Sequence, residues 1–179
     1  MPKLKYLIEC LLFVSEEPLT LEKIKAVLPS VDIKDIKEAI QNLADEYEQS
    51  QKGIYLAEVA SGYQLRTRPE YAEWIRKFFQ PSPQRLSTAA LETLAIVAYK
   101  QPVMRSEIEN IRGVDAGGIL RMLLDRKLVK LLGRKELPGR PLLYGTTRYF
   151  LEIFGLKDIS DLPTLKDMVE LGKPVLPET

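Results

Sequence analysis

Ile8-Glu9-Cys10-Leu11-Leu12-Phe13-Val14-Ser15-Glu16-Glu17-Pro18-Leu19 leads into Ile24 and Val27. An offset of 84 residues brings the pattern back as Glu92-Thr93-Leu94-Ala95-Ile96-Val97-Ala98-Tyr99-Lys100-Gln101-Pro102-Val103, leading into Ile108 and Ile111. At that offset Leu7, Cys10, Leu11 and Val14 fall on Leu91, Leu94, Ala95 and Ala98. Both sets keep the i, i+3, i+4, i+7 spacing of a helix with one buried face. An apolar helix, a turn closed by proline and a second short helix begin a helix-turn-helix unit. Two such units in tandem suit a molecule that holds other macromolecules.

Working outward, Pro18 stops the first helix, expected over about Leu4 to Val14. Thr20 can cap the next, which carries Leu21, Ile24, Val27 and Leu28. Past Pro29-Ser30, Asp32 is placed to cap a longer helix with Ile33, Ile36, Ile40, Leu43 and Tyr47 inward, ended by Gly53. Ile54–Val59 and Tyr63–Thr67 read as a β-hairpin turning at Ser61-Gly62. Pro69 then opens a helix through Tyr71, Trp74, Ile75 and Phe78. Three helices followed by a two-stranded ribbon is the order of a winged helix.

Gln80-Pro81-Ser82-Pro83-Gln84 reads as a linker, since its prolines cannot continue a helix. The order then repeats. Ser87 caps a helix; a second spans about Arg105 to Arg112 and ends at Gly113; Asp115 caps a third with Ile119, Leu120, Leu123 and Leu124 toward the core. Strands are expected at Leu128–Leu132 and Leu142–Thr146, with Lys135–Arg140 as the wing tip between them. Tyr149, Phe150, Ile153 and Phe154 give a closing helix. The fold class is therefore mainly α with small β-hairpins, an α+β chain of two tandem winged-helix domains. The first covers 1–80, a linker 81–86 and the second 87–156. A tail over 157–179 is expected to be partly disordered, with one turn of helix around Leu165–Leu171.

Composition narrows the chemistry. The sequence has no histidine and one cysteine, which removes an imidazole base, a Ser-His or Cys-His pair, an internal disulfide and the usual zinc sites. No Gly-rich phosphate loop follows a strand, and no run approaches the ~20 apolar residues of a membrane span. The expectation is a non-enzyme with no cofactor and no metal, working in the cytoplasm away from membranes. The net charge of +1 is unevenly spread, at −2 over 1–80, +5 over 81–155 and −2 over 156–179.

The run Arg134-Lys135…Gly139-Arg140-Pro141…Tyr144-Gly145-Thr146-Thr147 is the most distinctive. Arg134, Lys135, Arg140 and Arg148 could face phosphates; or Pro138-Gly139 turns the hairpin and the arginines are solvated or paired with Glu136; or the run anchors a protein partner. The third helix of the first unit carries Asp32, Asp35, Glu38, Asp45, Glu46 and Glu48 against Lys34, Lys37 and Lys52, which suits a phosphate backbone poorly. In the second unit Gly117-Gly118 suggests close approach of the unit's own first helix or of a partner. Its other face offers Arg121, Arg126 and Lys127 and lacks the Asn and Gln that read bases well. Cys10 reads as core, and Trp74 as core or a subunit interface.

Leu86 to Pro102, Arg105-Ser106-Glu107-Ile108-Glu109-Asn110-Ile111-Arg112-Gly113-Val114, the Gly133–Thr147 hairpin, Phe150-Leu151…Phe154-Gly155-Leu156 and Asp161-Leu162-Pro163 together resemble the segregation and condensation protein B family. Ile8 to Phe13 matches as well. The resemblance implies a homodimer formed through the first winged helix. It implies binding to a kleisin, segregation and condensation protein A, and through it to an SMC ATPase on the nucleoid, with any DNA contact indirect or weak. It carries no small-molecule substrate. Arg112, Arg134, Arg140 and Tyr144 are the residues expected to meet the partner from an exposed surface. Met104 departs from the family pattern, standing where a hydroxyl residue is common. The alternative from the fold alone is a dimeric DNA-binding transcription regulator.

Overall fold

The computed structural model describes residues 3–79, 85–164 and 167. Its first half runs α1 (Leu4–Val14), α2 (Leu21–Val27), α3 (Ile33–Gln49), β1 (Ile54–Val59) and β2 (Gly62–Thr67). A 3-10 turn at Pro69–Tyr71 leads into α4 (Ala72–Phe79). The second half runs α5 (Thr88–Lys100), β3 (Val103–Met104), α6 (Arg105–Arg112), α7 (Gly117–Asp125), β4 (Val129–Arg134), β5 (Leu142–Thr146) and α8 (Arg148–Phe154). Two antiparallel sheets result, β1-β2 and β3-β5-β4. The mixed α and β content, with small antiparallel sheets, is the one expected. The tail helix expected around Leu165–Leu171 and most of the linker lie outside the described residues.

The duplication is physical. Each half has its own buried cluster: Ile8, Leu12, Ile24, Ile36, Ile40 and Leu43 in the first, Leu94, Val97, Ile108, Leu120, Leu123 and Val129 among others in the second. Ile24 and Ile108 are equivalent at the offset of 84 and both fully buried, as are Ile36 and Leu120. Leu19 pairs with Tyr63 where β3 pairs Val103 with Tyr144. Gly62 is required at the first of these crossings, because a Cβ there would lie 3.0 Å from the Leu19 carbonyl.

The offset fails before the turn, and this corrects the expected helix face. In α1 the apolar residues Leu4, Leu7, Ile8, Leu11 and Leu12 are buried or half-buried; in α5 their counterparts 86 residues on, Ala90, Thr93, Leu94, Val97 and Ala98, are buried, with Ala89 and Ile96 half-buried beside them. The exit from α1 is two residues longer than that from α5. Two residues turn a helix by about 200°. Cys10 and Val14, and likewise Leu91 and Ala95, are therefore exposed, and Cys10 is not part of the core.

The helix starts are a mixture. Thr20 Oγ1 accepts from Lys23 N–H at 3.3 Å and Ser87 Oγ from Ala90 N–H at 3.2 Å, as expected of caps. Asp32 holds the N-cap position of α3 without a side-chain cap bond, and the N-cap of α7 is Ala116, not Asp115. Asp115 instead accepts from Gly117 N–H at 3.1 Å and pairs with Arg105. At Met104 the Glu107 carboxylate accepts the N-cap N–H at 2.7 Å, so half of a capping box survives without the hydroxyl.

Two turns shift. α3 stops at Gln49, before Gly53, and Gln51 takes the left-handed backbone at φ 46°. The first hairpin turns at Ala60-Ser61, one residue earlier than expected, with φ of 49° and 56°. Two L-residues in that region cost on the order of 1 kcal/mol each, so contacts outside the hairpin must hold it.

Truncating Ile24 or Ile108 to alanine is expected to cost about 2–5 kcal/mol in either unit, read by chemical denaturation. Tyr47 gives a pH test. Burial, helped by its hydrogen bond to Glu9 Oε1 at 2.7 Å, pushes its phenol up to about 12. The folded value exceeds the unfolded one near 10. Stability from this group is therefore complete below about pH 10 and lost as pH rises through about 12. Tyr47→Phe is expected to remove that part of the alkaline decline in denaturation midpoint.

Candidate functional site

Only one side of each small helix finds a core, and several large apolar residues are left outside it. On α4 the ring-bearing face is open: Trp74, Phe78 and Phe79 are 63%, 81% and 71% exposed. Phe78 and Phe79 meet edge to face with centroids 5.2 Å apart, and Tyr71 leans on Trp74 at 6.5 Å. Trp74 is thus not core. On α1, Tyr6, Phe13 and Val14 are exposed on the side away from Ile8 and Leu12. Solvated aromatics in this number are the usual sign of a protein interface.

In the second unit the four expected contact residues separate. Arg134 and Arg140 are exposed at the hairpin, where Arg134 Nη1 donates to the Arg140 carbonyl at 3.1 Å. Lys135 closes the loop through its N–H to the Pro141 carbonyl at 2.9 Å and pairs with Glu107 at 3.7 Å. Tyr144 is only 8% exposed and belongs to the core cluster. It sits in the middle strand of its sheet, opposite Val103 and Leu131, which turns its ring inward. The Arg112 side chain is also only 8% exposed; its Nη2 reaches Glu92 at 3.4 Å, and Nε and Nη1 are buried without a hydrogen-bond partner. The expectation that all four lie on the open surface is corrected for these two. Sequence reading left Trp74 between core and subunit interface and missed the outer face of α1; on α4, Phe78-Phe79 beside Pro81 was a further signal.

Gly117 does meet a close neighbour within the chain, and it lies on α6, not on the unit's first helix. A Cβ there would lie 2.7–2.9 Å from the Arg105 guanidinium, while one at Gly118 would meet nothing within 4 Å. Arg105 also bonds Glu109 at 2.6 Å, and Ala116 N–H donates to the same carboxylate at 3.0 Å. These bonds hold Glu109 below the usual carboxylate range, with the Ala116 amide the larger cause. The tight turn between α6 and α7 is thus a charged clasp.

Two clefts adjoin α8. One of about 670 Å³ is lined by charges of both signs, including Glu16, Glu17, Asp125, Lys127 and Arg148. The other, about 420 Å³, is lined by Leu86, Leu128, Tyr149, Ile153 and Phe154 with Arg126 at its edge. Among the described residues no group of three or more His, Cys, Asp or Glu is placed to hold a metal ion, and no helix is long and apolar enough to cross a membrane.

Duplicated helical units with outward aromatics, a basic hairpin and open clefts define a macromolecular-assembly protein. The family described as Segregation and condensation complex subunit ScpB matches residues 6–165, and the chain belongs to that family. It is 52% identical over 171 residues to Segregation and condensation protein B of Syntrophotalea carbinolica, covering 96% of this chain and 86% of that one. Among solved structures, ScpB from Mycobacterium tuberculosis is 34% identical, with 86% of this chain and 96% of that one covered and a TM-score of 0.41. A dimer of an ScpB N-terminal domain complexed with an ScpA peptide is 33% identical, covers 41% of this chain and 91% of that one, and has a TM-score of 0.38.

Denaturation separates surface from core here. Tyr144→Ala is expected to cost about 3–5 kcal/mol, whereas Arg134→Ala and Arg140→Ala each stay within about 0.5 kcal/mol of the parent.

Proposed function

We propose that this chain is a non-enzymatic adaptor of a chromosome-condensing complex. It pairs with a second copy through residues 1–80 and binds a kleisin, segregation and condensation protein A, mainly through residues 87–156. The 81–86 segment links these tasks. Through the kleisin it joins an SMC ATPase on the nucleoid in the cytoplasm, with DNA contact indirect or weak. The observation that carries the reading is the open aromatic side of α4 on a chain whose family match runs almost end to end. Such a side is costly to leave in water and readily covered by a copy of itself.

Arg134 and Arg140 then stand at the rim of the kleisin contact. Tyr144 and Arg112 act from beneath, by fixing β5 and the end of α6. An ScpB N-terminal domain has been solved as a dimer with an ScpA peptide. That is a property of that protein, and it names the partner worth trying.

The rival reading, a dimeric transcription regulator, makes opposite demands. A kleisin fragment is expected to bind the purified chain with an affinity little changed by moderate salt. Duplex DNA is expected to bind weakly, without preferred sequence and with steep salt dependence. Tight sequence-selective DNA binding with no kleisin binding would reverse the assignment. In light scattering, Trp74→Glu/Phe78→Glu is expected to weaken the dimer by roughly a hundredfold or more while leaving the fold intact.

A further inference from the structure

The tip of the first hairpin is not free. Ala60 N–H donates to the Leu156 carbonyl and Ser61 N–H to the Lys157 carbonyl, each at 2.8 Å. Both acceptors lie just past the end of α8. The Ala60 carbonyl in turn accepts from Arg148 Nη2 at 2.8 Å, and Ala60 is only 2% exposed. Further along the ribbon, Arg66 Nη2 donates to the Glu152 carbonyl at 2.6 Å and Gln64 Nε2 to its carboxylate at 3.0 Å. Lys157 pairs with Glu58 at 2.9 Å on the flank.

Three features set this apart from an incidental touch. Backbone groups supply donors and acceptors, and these cannot rotate away as surface side chains do. Arg66 donates to a carbonyl in the last turn of α8, where the helix dipole favours a cation. The left-handed backbone at Ala60 and Ser61 turns both amides outward, toward the acceptors. A residue pair with no intrinsic liking for that conformation keeps it because the docked carbonyls complete it.

We infer that the first hairpin is an internal strut. It clips the first unit to the end of α8, holds the two units as one body in solution, and is thereby withdrawn from contact with any partner. In a ligand-reading winged helix the wing tip is the free element; here only the second hairpin, with Arg134 and Arg140, keeps that freedom. A chain-like partner touching both units meets them already oriented, which spares it the cost of ordering them. The strut stands or falls independently of which partner the protein takes.

Backbone amide exchange on the full-length chain tests this by NMR. Val59 and Gly62 face each other across the turn, so Ala60 and Ser61 have no ladder partner and their protection reports docking. Both are expected to exchange at least roughly a hundredfold more slowly than in an unstructured peptide. In Arg66→Ala/Arg148→Ala they are expected to speed up at least roughly tenfold, while the Ala57 and Gln64 amides, paired within the ribbon, stay slow and show that the hairpin is intact. Free-peptide rates at Ala60 and Ser61 in the parent chain, with Ala57 and Gln64 protected, would overturn the strut. So would a double variant in which both tip amides remain as slow as in the parent, since their protection would then arise within the first unit.

Discussion

Each half of this molecule has room for one core a single helix layer deep, and every helix must choose one face to put there. Burying an isoleucine contributes about 1.5–3 kcal/mol, and the choice turns on a few such residues. Ile24 and Ile108, on the short second helices, are fully buried at matching places. They lock the crossing of α2 and α6 with the helices around them, and the remaining elements pack to suit. With so little interior, apolar residues on the wrong side of a helix stay in water. Phe13, Trp74, Phe78 and Phe79 are exposed for that reason, and the surface available for assembly is what the small cores leave over.

Electrostatics follows the same division. The acidic third helix of the first unit is tied into local pairs, Lys5 with Glu46 and Arg68 with Glu48. These two pairs help hold α1 and the residue following β2 to α3. In the second unit Arg105 is engaged with Glu109 and Asp115, while the hairpin arginines Arg134 and Arg140 are exposed. Membership of the ScpB family agrees with a surface of this kind. The two tandem units differ in what they expose more than in how they are built.

Much of the fold was legible because its signals are local. Pro18 and Gly113 punctuate, Thr20 and Ser87 cap, and alternating apolar residues mark β1 and β2. The same reading failed wherever two local cues were close in strength. Ser61-Gly62 looks like the better turn, yet the chain turns at Ala60-Ser61; docking against Leu156 and Lys157 outweighs the preference. Gly62 is needed for a different reason, the close passage of Leu19. Cys10 and Val14 keep perfect helical spacing and still face solvent, because spacing is equally well satisfied by the face that starts at Leu4.

The duplication, the order of the helices and of the two hairpins, and several element ends came from the sequence alone, since hydrophobic period, capping groups and prolines act over a few residues; the short strand β3 and the ends of α3 and α7 did not. Which face of α1 is buried, that Tyr144 turns inward while Arg134 and Arg140 do not, and that the first hairpin closes on the end of α8 were settled only in three dimensions. A helix can be rotated by half a turn without altering its own hydrogen bonds. Only the neighbours it packs against, brought together from distant parts of the chain, distinguish the two positions.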